Sequence, residues 1–111
     1  MLNQFSEFAT TTLLATDGQP CRYVFKDGST TTPTLFRGPE NTTQVISAGE
    51  ILEVRYIDFI GIAADFPTMP TRGERIYAAD NQAYEVRPLD ANTPYKLTFG
   101  QIRIHTQRVA N

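Results

Sequence analysis

One histidine, one cysteine and 12 carboxylates are the side chains on which any chemistry in this chain would rest. His105 stands near the end of the sequence, with Arg103 and Arg108 close by. A zinc site needs about four ligands, and one histidine with one distant cysteine falls short. A Cys–His nucleophile pair would require an activated Cys21, which sits in PCRYV without a recognisable motif and reads as a small buried group. Asp58, Asp65, Glu74, Asp80, Glu85 and Asp90 are scattered along turns and wet strand faces, so nothing pairs them for acid–base hydrolysis. No phosphate-cradling glycine loop and no dinucleotide fingerprint occurs. The expectation is a non-enzymatic protein with no catalytic residue, no cofactor and no metal.

Nucleic acid is an equally poor fit to the bulk properties. The formal charge is -2 and the sequence pI about 5.3, so no global basic field exists. Arg55, Tyr56 and Phe59 make a thin basic–aromatic group, which Glu53 and Asp58 offset. One cysteine rules out an intramolecular disulfide. There is no signal peptide, lipidation motif or long apolar run, so secretion and membrane insertion have no support and cytoplasmic synthesis is the default.

The elements that must position these residues read as strands. At 111 residues the chain is expected to be one β domain. Phe5 and Phe8 are spaced for one face of a short helix, and residues 1–9 read as a flexible or short-helical arm. Residues 10–16 and Cys21 to Phe25 form a hairpin across Asp17-Gly18, and Asp27-Gly28 turns the chain into a strand from Thr30 to Phe36. Residues 37–50, RGPENTTQVISAGE, hold Pro39, two glycines and few large apolar groups, and read as a long loop, either functional or a plain variable connector. Leu52, Val54 and Tyr56 then alternate with Glu53 and Arg55 in a strand that becomes apolar on both faces around Gly61.

A hairpin follows, turning at Asp80-Asn81, where Asn81 takes a left-handed backbone. Lys96 to Val109 reads as one strand whose parity changes between Leu97/Phe99 and Ile102/Ile104, so a bulge is expected at Gly100. The sum is an all-β antiparallel sandwich or barrel of six or seven short strands. Its core is expected to contain Leu52, Val54, Ile62, Ile76, Tyr84, Val86, Leu97 and Ile104.

Two stretches, TPTLFRGPEN and ADFPTMPTRGERIYAADNQAYEV, resemble the head–tail joining (head-completion) proteins of lambda-like long-tailed phages and their prophage relatives. Asp65, Pro70, Gly73, Glu74, Ile76, Tyr84 and Val86 match the family pattern, and Asn81 stands where relatives commonly have Gly. The resemblance covers about residues 34–111. It implies a virion structural protein at the head–tail junction, assembled as a ring beneath the portal and its connector. Such a ring closes the DNA-filled head and offers the tail terminator protein a docking surface. Packaged DNA would be near, without sequence-specific binding, and no membrane is involved. The assembly interface is then expected at Phe5, Phe8, Arg37, Glu40, Asn41, Val45, Ile46 and Glu50. The alternatives are another tail component (a tail terminator or tube-like protein) and a small-barrel module binding nucleic acid or peptide.

Overall fold

The computed structural model describes residues 17–89 and 93–110. The arm expected over 1–9, the strand expected over 10–16, and Asp90 lie outside these. Nine antiparallel strands make one strongly curled sheet: β1 Gln19–Pro20, β2 Arg22–Val24, β3 Thr30–Thr31, β4 Thr34–Ser47, β5 Glu50–Ile62, β6 Arg75–Tyr77, β7 Ala83–Val86, β8 Tyr95–Thr98 and β9 Gln101–Val109. The order is β1-β4-β5-β9-β7-β6-β2-β3, with β8 also on β9. Cys21 alone separates β1 from β2, so a single stretch of chain links the β4 side of the sheet to the β6 side. The expected all-β antiparallel architecture holds, in the form of a half-barrel. A short 3-10 turn, Ala63–Asp65, follows β5.

Three features differ from the expected pattern, each for a local reason. Residues 37–50 are not a loop. They are most of β4 and its turn, paired with β5 from Phe36↔Ile60 to Ser47↔Glu50. The connection is the two residues Ala48-Gly49, both left-handed (φ 52° and 81°), as a type I′ hairpin turn requires. Gly38 and Pro39 mark a β-bulge: the register shifts between Arg37 and Glu40, so two residues face one on β5. A proline is tolerated there because no ladder donor is needed. Loop-like composition arises because the outer part of this hairpin has no buried face.

The second difference is at Gly100. The expected bulge is a second tight turn, Phe99-Gly100 (φ 49° and 84°), and the expected single strand is the β8–β9 hairpin with Leu97 opposite Ile102. Parity changes across a turn as it does across a bulge, so the alternation alone did not distinguish them. The Phe99-Gly100 turn, the short strand Gln19–Pro20 and the division of the expected Thr30–Phe36 strand into β3 and β4 bring the count to nine among the described residues, in place of six or seven.

The third is the core. Ile76, Tyr84, Val86 and Ile104 are fully buried as expected, but Val54 and Ile62 are only half-buried. Leu52 and Leu97 are exposed, at 43% and 51%. The odd residues of β5, Ile57 and Phe59, face inward with Tyr23, Leu35 and Ile102. Tyr23 stacks edge-on with Phe66 (5.3 Å between centroids) and Phe59 with Tyr84 (5.0 Å). The apolar row Leu52, Val54 and Tyr56 therefore runs on the opposite parity to the core row of the same strand.

Candidate interaction surfaces

β5 pairs with β9 only from Ile57 to Ile62. Residues 50–56 have β4 on one side and no described strand on the other, and they form with β4 a two-stranded ribbon leaving the body of the sheet. Of five exposed large hydrophobic residues among those described, three sit on this ribbon: Ile46 at 81%, Ile51 at 67% and Leu52. Ile46 lies opposite Ile51, and Val45 opposite Leu52. Cross-strand partners share a face, so the Leu52 row and the Ile51 row occupy the two sides of the ribbon.

Most of the expected interface residues fall here. Glu40, Asn41, Val45 and Ile46 are on β4 and Glu50 opens β5. Phe5 and Phe8 lie outside the described residues. Arg37 sits at the root of the ribbon rather than on its exposed length, and the fold engages it. Its guanidinium donates to the Tyr84 hydroxyl at 2.7 Å and meets Asp80 at 3.2 Å. Burial opposes the Arg37 charge, yet Asp80 and Tyr84 together raise its pKa. Asp80 is held below the ordinary carboxylate value, first by the backbone N–H of Gln82 and then by Arg37. Arg37 thus ties the ribbon's base to the β6–β7 turn, where Asn81 has the expected positive φ of 64°.

Beyond the root, β5 diverges from β9, and a notch of about 430 Å³ opens between the ribbon and the end of β9. Glu40, Glu53, Val54, Tyr56 and Arg108 are among its walls. Arg55 pairs with Glu40 at 3.8 Å. Glu53 has no ion pair among the described residues.

The two other exposed hydrophobics, Leu97 at 51% and Phe99 at 48%, sit on the β8–β9 hairpin. Lys96 lies directly opposite Arg103 there, like charges facing each other across a strand pair. Asp58 bonds Arg103 at 3.2 Å, and Lys96 has no ion pair among the described residues.

Two carboxylates expected at wet positions are buried instead, Asp58 at 7% and Glu74 at 5% exposed. Glu74 accepts from the Tyr23 hydroxyl at 2.5 Å and from the backbone N–H groups of Lys26 and Thr71 at 3.0 and 2.8 Å. Burial, with Glu74 second, pushes the Tyr23 phenol far up. This is framework: one carboxylate joins β2, its following turn and the approach to β6. Neither burial was legible from sequence, because Tyr23 and Lys26 lie 51 and 48 residues from Glu74, and Arg103 and His105 lie 45 and 47 from Asp58.

Asp58 also holds Nδ1 of His105 at 2.7 Å, and the Tyr56 ring stands edge-on to the imidazole at 6.5 Å. A carboxylate on Nδ1 orients a histidine for general-base work only where a nucleophile meets the other nitrogen. No Ser, Thr or Cys side chain bonds His105 among the described residues. Cys21 is in the core, with burial raising its thiol pKa, the reverse of activation. No cluster of three potential metal ligands occurs among the described residues. No helix among them is long and apolar enough to cross a membrane.

No protein-family model matches this chain, and no curated protein matches it.

Proposed function

We propose that this protein is a structural component of a long-tailed phage or prophage, a connector that joins the DNA-filled head to the tail. The observation that carries the reading is the segment from Ala64 to Val86, whose Asp65, Pro70, Gly73, Glu74, Ile76, Tyr84 and Val86 resemble the head–tail joining family. The fold gives several of those positions a framework reason. Ile76, Tyr84 and Val86 are fully buried, Pro70 is enclosed, and Glu74 is a buried hydrogen-bond hub. Residues that hold a frame rather than a reaction suit a protein whose work is attachment.

The same frame carries an apolar-tipped ribbon that its own core leaves uncovered. In this reading the ribbon contacts neighbouring subunits or the portal, and the tail terminator docks on the assembled ring. The test is to add purified protein to DNA-filled heads that lack it, then add tails and count infectious particles. The expected result is restored joining. Heads that remain unable to take tails overturn the connector reading, and rescue of tail preparations instead of heads would place the protein in the tail.

A further inference from the structure

The β8–β9 hairpin gathers four polar side chains on one face. Lys96 lies opposite Arg103, and Thr98 opposite Gln101. Cross-strand partners share a face, as do residues two apart, so all four project to one side. Ile102 and Ile104 alternate with them along β9 and are fully buried, which puts the four on the outer surface of the sheet. Together they line a hollow of about 230 Å³. Sites for drug-sized ligands run to roughly 300–1,000 Å³, so this one suits a small ion or a single terminal group.

Each of the four can donate a hydrogen bond, and none carries negative charge. Like charges directly opposed destabilise a strand pair, and an anion between them turns the repulsion into attraction. Buried Asp58 meets only Arg103, through Nη1 at 3.2 Å, and its other oxygen takes Nδ1 of His105 at 2.7 Å. Lys96 has no ion pair among the described residues, and no other bond engages the Arg103 guanidinium among them. Glu7 and Asp90 are the acidic side chains outside the described residues, and Asp90 comes shortly before β8. The frame is fixed without any ion. Both residues of the Phe99-Gly100 turn are left-handed, and the Gly100 carbonyl accepts from the Ala63 N–H at 2.8 Å. The Pro94 carbonyl accepts from the His105 N–H at 2.8 Å, and β5 backs β9 from Gln101 to Thr106.

We infer that this hollow binds a phosphate group, as inorganic phosphate or as the terminal monoester of a small molecule. Lys96 and the Arg103 guanidinium hold its charge, and the Thr98 hydroxyl and Gln101 amide donate to its remaining oxygens. Phosphate offers several acceptor oxygens to donors from two strands, where a halide offers a single centre. A carboxylate, singly charged, leaves one of the two cations unanswered. The Arg103 side chain is 45% exposed and Lys96 is exposed as well, so solvent screens the site. Its dissociation constant is then on the order of 1–10 mM at low salt. The site owes nothing to the connector reading and is decided apart from it.

The test is an amide NMR titration of the full chain near neutral pH, with sodium phosphate against sodium chloride at matched ionic strength. Saturable shifts centred on residues 96–103 are expected with phosphate and not with chloride. Lys96→Gln, at an exposed position, should weaken phosphate by about tenfold or more, since one charge-assisted hydrogen bond is lost. Its spectrum away from the hairpin should stay that of wild type. Asp90→Asn should bind as wild type does. Glycerol 3-phosphate separates the sources: shifts with both ligands assign a terminal phosphate group, and shifts with inorganic phosphate alone assign the free ion. Shifts that fail to saturate, that chloride reproduces, or that Lys96→Gln leaves unchanged overturn the inference. So does an Asp90→Asn protein that binds about tenfold tighter than wild type, because Asp90 would then be the hollow's own counter-ion.

Discussion

At the scale of single residues, Glu74 and Asn81 show two ways a side chain fixes a turn. Glu74 is one charge taken out of water and satisfied by three donors from two distant parts of the chain. Removing it leaves the Tyr23 hydroxyl and two N–H groups without their acceptor, and each unsatisfied buried group costs about 1–3 kcal/mol. Glu74→Ala is therefore expected to lose roughly 3 kcal/mol or more in urea unfolding, and Glu74→Gln, which keeps one acceptor oxygen, distinctly less. A loss near zero for alanine would show that these donors find other partners. Asn81 holds a left-handed backbone, at φ 64°. Glycine there is expected within about 0.5 kcal/mol of wild type, while a β-branched valine, strained in that conformation, loses about 1–3 kcal/mol. Paired unfolding curves of the two variants decide it.

At the scale of elements, the β4–β5 hairpin divides at its root. Ile57 and Phe59 belong to the core, whereas Ile46, Ile51 and Leu52 are exposed and contribute little burial. A two-stranded ribbon is marginal by itself and here leans on its base. Excising residues 43–54 and closing Thr42 to Arg55, which face each other, with an Asn-Gly turn should leave the body folded. Thermal unfolding is expected to shift by only a few degrees, since little buried apolar surface goes with the ribbon. A collapse of the near-ultraviolet signal would mean that the ribbon supports the core. The same variant should not restore joining. The exposed row Leu52, Val54 and Tyr56 looks like a core row in sequence because alternation reports that one face is apolar, not which partner will cover it.

At the scale of the whole molecule, acid should loosen the fold through carboxylates whose proton affinity is lowered in the native state. Asp80 is held below 3.8 by the Gln82 N–H and by Arg37, and Asp27 by the hydroxyl and backbone N–H of Ser29. A depressed native pKa gives stability that is present above the unfolded value and is lost as the pH falls through the native one. Melting temperature is thus expected to fall on acidification below about pH 4, and more gently in Asp80→Asn, which has no such group to protonate. Equal slopes in the two proteins would remove Asp80 from the account. Both groups are at the surface, so added salt should shrink the difference between them.

The sequence by itself determined what depends on neighbours in the chain. The all-β class, the left-handed Asn81, the buried Cys21 and the inward Ile76, Tyr84, Val86 and Ile104 follow from turn residues and from alternation, which are local. It also placed the exposed segment between residues 37 and 50 but mistook its form. A ribbon with no buried face, a Gly-Pro bulge and a two-residue turn has the composition of a loop. Thr42, Thr43, Val45 and Ile46, β-branched and facing the similar run 51–56 across Ala48-Gly49, were the signal for a hairpin. Tertiary structure alone decided which parity of β5 faces the core, because the partner rows on β9 and β7 lie more than 20 residues away in the chain. The burial of Asp58 and Glu74 was decided in the same way. The charge of a buried carboxylate is stable only beside its partners, and those were assembled by folding, not by sequence order.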